Sequence, residues 1–266
     1  MNTVKTKLID LKQSIRAKFS QPFNSELVIV LGNQKAGTTA IASLLGKASD
    51  KSVAIDPFFR IKEQLAIRES IFSKESTFKD FASSNKLYFT YDIVKDPNFI
   101  FFIDEIVSCF PNAKFVFILR DPRDNIRSIL NRLSIPGNLE KLERKDLLSI
   151  PQPWTVILKG ELPDIEGENY IEVLSNRWVL ASNLYKKYSS IITLVKYEDF
   201  KESKVESIGR LAHSVGLPVK QDISEFVDIQ YQPRGQKITD WKAFFGKENL
   251  DRIERTCGSL MQEFSY

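Results

Sequence analysis

Cysteine and histidine are scarce in this sequence, which has two cysteines and one histidine among 266 residues. Cys109 and Cys257 lie far apart, each on the apolar face or at the end of a predicted helix, so we expect two reduced core residues and no disulfide. Free thiols are typical of a reducing compartment, and we therefore expect a cytoplasmic location. The single histidine, His213, lies off the apolar stripe of a helix predicted over residues 204–215, which indicates a surface position.

Strong charge bias and long apolar runs are also missing. The formal charge of +4 suits an anionic small ligand and argues against an extended nucleic-acid-binding surface. Residues 1–21 contain no apolar run long enough for a signal peptide or a membrane span. Leu8, Leu11, Ile15 and Phe19 recur at helical spacing among basic residues, which predicts a helical extension over residues 1–24. Such a helix packs on the domain or, as the alternative, contacts a membrane surface.

No segment is rich enough in proline, glycine and serine to divide the chain, and no internal repeat is visible. The composition is 42% hydrophobic and includes 19 phenylalanines, which is enough material for one substantial core. We therefore predict that residues 1–266 form a single α/β domain.

The most informative stretch runs from Glu26 to Leu45 and predicts a strand, a tight turn and a helix. Leu27 to Leu31 is an unbroken apolar run, as in a parallel strand that is covered on both faces. The helical part has apolar residues at the spacing i, i+3, i+4. Between the two elements, glycines, a lysine and two hydroxyls surround a helix start: Gly32, Lys35, Ala36, Gly37, Thr38 and Thr39. Free amides at a helix start attract anions, so we predict a phosphate site here.

The order of these residues differs from that of the nucleotide-triphosphate loop. In that loop the lysine follows the second glycine, whereas Lys35 precedes Gly37. A plain strand-to-helix turn with an incidental lysine is the alternative interpretation, since short motifs often match by chance.

Two carboxylates and a second lysine follow the next predicted strands. Asp56 ends a short strand over residues 53–55, where it either acts as a base or caps the next segment. Glu63, in a charged stretch predicted to be helical, is the second candidate base. Residues 86–92 alternate enough to predict another strand, and Pro97 cannot continue it, so Lys95 is held near a strand end.

A second phosphate signal follows the apolar strand predicted over residues 114–119. Arg120 stands at its end, and Ser128 lies on a face of the following helix that its apolar residues leave free. A guanidinium and a hydroxyl placed in this way can bind the same phosphate. The alternative is a salt-bridged turn with an exposed serine.

Together these motifs resemble those of sulfotransferases that use 3′-phosphoadenosine 5′-phosphosulfate (PAPS) and release adenosine 3′,5′-bisphosphate (PAP). The resemblance implies a three-layer, P-loop-like fold with a central, mainly parallel sheet flanked by helices, and a reaction without a metal ion. It also implies the nucleotide-binding residues. They are Lys35, Ala36, Gly37, Thr38 and Thr39 at the 5′-phosphosulfate, Arg120 and Ser128 at the 3′-phosphate, Tyr197 beside the adenine, and Arg234 and Gly235 in a late basic loop. That loop usually reads Arg-Lys-Gly, so only Arg234 matches it closely.

The resemblance also assigns the chemistry. Lys35 and Lys95 would neutralise the charge on the transferring sulfonate. The cytosolic branch of the family has a histidine base shortly after the strand-end lysine, where this chain has Pro97. A carboxylate then serves as the base, as in the Golgi-type branch, where a glutamate precedes a phenylalanine pair. Asp56, which precedes Pro57-Phe58-Phe59, is the best match, and Glu63 is the alternative.

Residues 134–170 contain several prolines and glycines with weak periodicity, which predicts an acceptor-binding insertion or lid, or else a solvent-exposed insertion. Trp154 is the residue we expect to touch the acceptor. The implied reaction transfers a sulfonate group to a hydroxyl or amine of a small molecule or glycan, a carbohydrate being the first choice by analogy. Two alternatives stay open: a P-loop-type kinase with an atypical phosphate loop, and a catalytically inactive nucleotide-binding protein.

Overall fold

The computed structural model describes residues 23–229 and 240–266 and shows an α/β fold around a parallel sheet. The strands of these residues are β1 (Val28–Gly32), β2 (Val53–Ile55), β3 (Ile93–Lys95), β4 (Lys114–Leu119) and β5 (Ile192–Lys196). Their order in the sheet is β2-β3-β1-β4-β5, and every neighbouring pair is parallel. Because β1 lies between β3 and β4, the turns that follow these three strands meet at one edge of the sheet.

Helices alternate with the strands along the chain. They are α1 (Thr38–Ser49), α2 (Gln64–Phe72), α3 (Phe78–Ser84), α4 (Ile103–Cys109), α5 (Pro122–Leu133), α6 (Arg144–Leu147), α7 (Gln152–Lys159), α8 (Tyr170–Lys187), α9 (Tyr197–Glu202), α10 (Lys204–Ser214) and α11 (Trp241–Glu263). Three short 3₁₀ helices cover Phe58–Arg60, Lys86–Thr90 and Phe99–Phe102.

The sheet is buried on both faces, because alternate residues of β1 belong to two separate core clusters. Ile29 and Leu31 pack with apolar residues of α5, α8 and α11. Val28 and Val30 pack on the opposite face with residues of α1 and α10. The predicted three-layer arrangement, with a parallel sheet flanked by helices, is confirmed.

The strand predicted over residues 86–92 is wrong. Most of that stretch forms a 3₁₀ helix, and β3 begins only at Ile93. The stretch turns Phe89 into a cluster of phenylalanines, where its ring stacks on Phe110 at 5.1 Å between centroids. Packing of that ring has overridden the apparent alternation of the sequence. Lys95 is nevertheless the last residue of its strand, as predicted.

Residues 134–170 carry two helices, and their apolar residues Ile150, Ile157 and Leu158 are buried in the main core. The insertion is therefore packed against the domain. Both cysteines are free, with Cys257 buried and Cys109 half-buried, and His213 is exposed. The helix predicted over residues 1–24 falls almost wholly outside the described residues. Within the described part of the chain, no helix has both the length and the apolar character needed to cross a membrane.

Candidate active site

The turn after β1 has a backbone shape that admits little variation. Lys35 and Gly37 have positive φ angles of 65° and 96°. A Cβ atom on Gly37 would lie 2.4 Å from the ring of Tyr197, so only glycine fits there. Helix α1 starts directly after this glycine, with no side-chain cap and no acidic residue in its first turn. Its first amides and its dipole are thus available to an anion.

The turn after β4 contacts the turn after β1. The guanidinium of Arg120 donates from Nη1 to the carbonyl oxygen of Lys35 at 2.9 Å. It also lies 4.5 Å from the ring centroid of Tyr197. Ser128, two turns along α5, lines the same cavity as both turns. The two predicted phosphate sites, at the turn after β1 and at Arg120 with Ser128, are therefore neighbours, because β1 and β4 are adjacent strands.

A cavity of about 600 Å³ opens at this edge of the sheet, within the usual range for small-molecule sites. Most of the predicted site residues line it: Lys35, Gly37, Thr38, Thr39, Asp56, Lys95, Arg120, Ser128 and Tyr197.

Two of the predicted residues lie away from the cavity. Ala36 has its side chain buried in the core, and its amide donates to the carbonyl of Asn33 at 3.2 Å. Glu63 is exposed at the N-terminus of α2, because the turn before that helix points it to solvent. Arg234 and Gly235 lie outside the described residues.

Lys95 and Asp56 form an ion pair inside the cavity. Lys95 donates from Nζ to Oδ1 of Asp56 at 2.7 Å, and the lysine side chain is 3% exposed against 28% for the aspartate. The next residue, Asp96, is buried, and its carboxylate accepts a hydrogen bond from the amide of Phe58 at 3.0 Å. Asp96 thereby fixes the turn that carries Asp56. Burial, and then the Asp56 carboxylate, raise the pKa of Asp96 to about 6.

The cavity has a strongly positive field around Lys35. Burial, and then the charges of Arg132, Arg120 and Lys95, lower the pKa of Lys35 to about 8. Crowded cations that disfavour one another's charge are stabilised when an anion enters between them. The arrangement is suited to a ligand with several negative charges.

Comparison with known proteins identifies the family. The sequence pattern described as a sulfotransferase domain matches residues 27–159. The chain belongs to the sulfotransferase domain family.

Solved sulfotransferase structures share the fold. Sulfotransferase STF9 from Mycobacterium avium is 11% identical with a TM-score of 0.57, and the match covers 92% of this chain and 78% of that one. Mouse sulfotransferase SULT7A1, complexed with PAP, is 14% identical with a TM-score of 0.50, and the match covers 90% of this chain and 85% of that one. No curated protein sequence matches the chain.

A polar network beneath the β1 turn was not predicted. The Gln34 side chain accepts a hydrogen bond from Nε of Arg177 at 3.1 Å and donates to Asn98 at 2.8 Å. Asn125 donates to the Gln34 carbonyl at 2.8 Å. These hydrogen bonds hold Gln34, and with it the turn after β1, in place. These residues come from four separate segments, so no local sequence signal identifies them.

Two further arginines line the cavity, Arg132 and Arg68. Arg132 lies four residues after Ser128 on α5, so helical spacing from Ser128 could have identified it. Arg68 lies three residues before the buried Ile71 on α2, so a helical-wheel analysis would have placed a charge on the core face.

Two aromatic residues and an isoleucine also line the cavity. Phe59, which is 64% exposed, lies three residues after Asp56, while Trp154 and Ile157 belong to α7 within the insertion. The structure thus places Trp154 at the cavity, and residues 134–170 supply one of its walls.

Proposed function

We propose that the chain transfers a sulfonate group from PAPS to a hydroxyl or amine of an acceptor. The observation that carries this proposal is the 2.9 Å contact between Arg120 and the Lys35 carbonyl, which joins two anion-binding turns in one cavity. PAPS carries charged groups at its 5′ and 3′ positions, so a donor of this shape needs two such turns side by side.

In this proposal the 5′-phosphosulfate lies on the β1 turn. The amides at the start of α1, the hydroxyls of Thr38 and Thr39 and the ammonium of Lys35 would bind it. The 3′-phosphate lies against Arg120 and Ser128, and the ring of Tyr197 lies next to Arg120, within reach of the adenine.

The transfer is a single displacement at sulfur. The acceptor oxygen or nitrogen attacks the sulfur, the bond from sulfur to the 5′-phosphate oxygen breaks, and PAP leaves with the electron pair. Negative charge builds up on the departing phosphate, as in phosphoryl transfer. Lys35 and Lys95 balance that charge, and preorganised donors of this kind contribute about 3 to 4 kcal/mol each.

Asp56 takes the acceptor's proton. It lines the cavity and is 28% exposed there, whereas Glu63 faces solvent away from it. General bases typically accelerate such a step about 100- to 10,000-fold. The acceptor would lie against Phe59 and Trp154. Aromatic walls of this type suit a ring, and a carbohydrate ring stays the first choice by analogy. A cytoplasmic location stays a prediction from the two free cysteines.

Calorimetric titration of the wild-type chain with PAP and with ATP tests the donor. We expect binding of PAP and no binding of ATP. Labelled-sulfate transfer from PAPS to a panel of glycans, phenols and lipids then tests the reaction. Tight ATP binding without PAP binding would exclude the proposal and favour a kinase, while PAP binding without transfer to any acceptor would favour an inactive nucleotide-binding protein.

A further inference from the structure

Arg68 is a buried guanidinium that the proposed transfer step does not use. It lies on α2, is 1% exposed and lines the cavity. Its Nη2 donates to the carbonyl oxygen of Leu162 at 3.4 Å, near the limit for a hydrogen bond, and its Nε has no partner. Among the described residues it forms no ion pair. A buried charge left in this state is costly, so it marks a place where a partner is expected.

The surroundings of Arg68 do not supply a negative charge in direct contact. Arg177, a second buried guanidinium, donates to the Leu162 carbonyl at 3.0 Å, and its other hydrogen bonds go to the neutral side chains of Gln34 and Asn98. Burial, and then the charge of Arg68, lower the pKa of Arg177 well below its usual range.

Asp96 is the acidic group whose charge opposes the lowering of the Arg68 pKa by burial. The hydrogen bonds of its two oxygens come from elsewhere. One accepts from the amide of Phe58 and the other from the amide and side chain of Asn98. Asp56, a second carboxylate that lines the cavity, is paired with Lys95. Asp96 therefore acts on Arg68 only at a distance, and Arg177 has only neutral hydrogen-bond partners, so the two buried guanidiniums leave the region with excess positive charge.

We propose that Arg68 binds an oxyanion group, such as a carboxylate, on the acceptor. This inference rests on the proposed function, because it assumes that an acceptor occupies the part of the cavity that Arg68 lines. Gln64, one turn before Arg68, lines the same cavity, and so do Phe59 and Trp154. The Leu162 carbonyl that contacts Arg68 follows α7, the helix that carries Trp154. The donor's phosphates have their own cations in Lys35 and Arg120. Arg68 is thus a specificity-determining residue that selects acidic ring-bearing acceptors.

Matched acceptor pairs test this assignment. One pair is 4-hydroxybenzoate and its methyl ester, and the other is phenyl β-D-glucuronide and phenyl β-D-glucoside. We expect the wild-type chain to transfer labelled sulfate to the acidic member with at least about tenfold higher kcat/KM, since a charge-assisted hydrogen bond is lost with the neutral one. Arg68→Gln should abolish the preference and leave PAP affinity unchanged. Lys62→Gln, an exposed cation just before α2, is the matched control and should retain the preference.

Equal transfer to the acidic and neutral members by the wild-type chain would overturn the proposal, as would an undiminished preference in Arg68→Gln. A third contrary result is weaker PAPS binding by Arg68→Gln with unchanged PAP binding. That pattern would assign the guanidinium to the donor's sulfonate instead of the acceptor.

A binding measurement keeps the test independent of turnover. We expect 4-hydroxybenzoate or phenyl β-D-glucuronide to raise the melting temperature of the PAP complex more than the neutral partner does. Arg68→Met, which fills a similar volume, should fold with an equal or higher melting temperature and lose the shift. If PAP does not bind the wild-type chain, the proposed function fails, while the same shifts measured without PAP still report on Arg68. No Arg68-dependent shift with either acid overturns the inference.

Discussion

Binding of PAP should place a proton on Lys35. Burial and the neighbouring cations lower the pKa of this ammonium to about 8 in the free protein, so about half of the Lys35 side chains are neutral at pH 8. A phosphate next to Lys35 favours the charged form and raises that pKa, typically by about 1 to 3 units. The complex therefore holds more protons than the free protein. Uptake by Lys35 should be about half a proton at pH 8 and about a tenth at pH 7.

The same linkage fixes how affinity depends on pH. Because the free protein binds fewer protons than the complex above pH 7, binding weakens as pH rises through the lowered pKa. From pH 7 to pH 9 the affinity for PAP should fall about tenfold. The second pKa of the PAP phosphate groups is about 6, so they are about 90% ionised at pH 7 and about 99% ionised at pH 8, where they contribute almost nothing to the proton count.

Calorimetry at pH 8 in two buffers of different ionisation enthalpy measures the proton number directly. Lys35→Arg is the matched control, because arginine keeps its charge throughout this range and should show no uptake. Tight binding of PAP with no proton uptake by the wild-type chain would refute the reasoning. Equal uptake by wild type and Lys35→Arg would do so as well, since another group would then be titrating.

Three further substitutions test separate parts of the site. Arg120→Ala should lower the affinity for PAP at least about tenfold by calorimetry, because a charge-assisted contact to the 3′-phosphate is lost, while the exposed Arg144→Ala should leave the affinity unchanged. Equal affinities of the two variants would exclude Arg120 from the nucleotide site. Asp56→Asn should leave PAP binding intact and lower kcat about 100- to 10,000-fold, whereas Glu63→Gln should leave kcat unchanged. The opposite result would make Glu63 the base. Gly37→Ala should abolish PAP binding, because its Cβ would lie 2.4 Å from a tyrosine ring, and unchanged binding would show that the turn can relax.

The central part of the fold could be predicted because its signals are local. The apolar run of β1, its glycines and Lys35 occupy one short stretch, and β4 with Arg120 forms a second one. The carboxyl ends of parallel strands lie at the same edge of a sheet, so predicting where β1 and β4 end was enough to predict that the turns after them are neighbours. Lys95 followed the same rule, although the strand that carries it was placed too early along the chain.

The rest of the site depends on tertiary packing, which a single sequence does not encode locally. The motif included Ala36, but the turn directs its side chain into the core and uses its amide internally. Glu63 is close to Asp56 in sequence, yet the 3₁₀ turn between them separates the two side chains. Arg177 binds Gln34 across 143 positions of sequence, so only the folded chain shows that contact.

The ion pair of Lys95 and Asp56 couples the two halves of the proposed reaction. The lysine is almost fully buried and donates at 2.7 Å to a carboxylate that is open to the cavity. When Asp56 takes the acceptor's proton it becomes neutral, and its attraction for the ammonium falls. At the same moment the departing phosphate gains negative charge, so the positive charge of Lys95 becomes available where it is needed. Proton transfer to Asp56 and stabilisation of the departing phosphate by Lys95 therefore occur together. It follows that Asp56→Asn, which removes the carboxylate paired with Lys95, should bind PAP at least as tightly as the wild type.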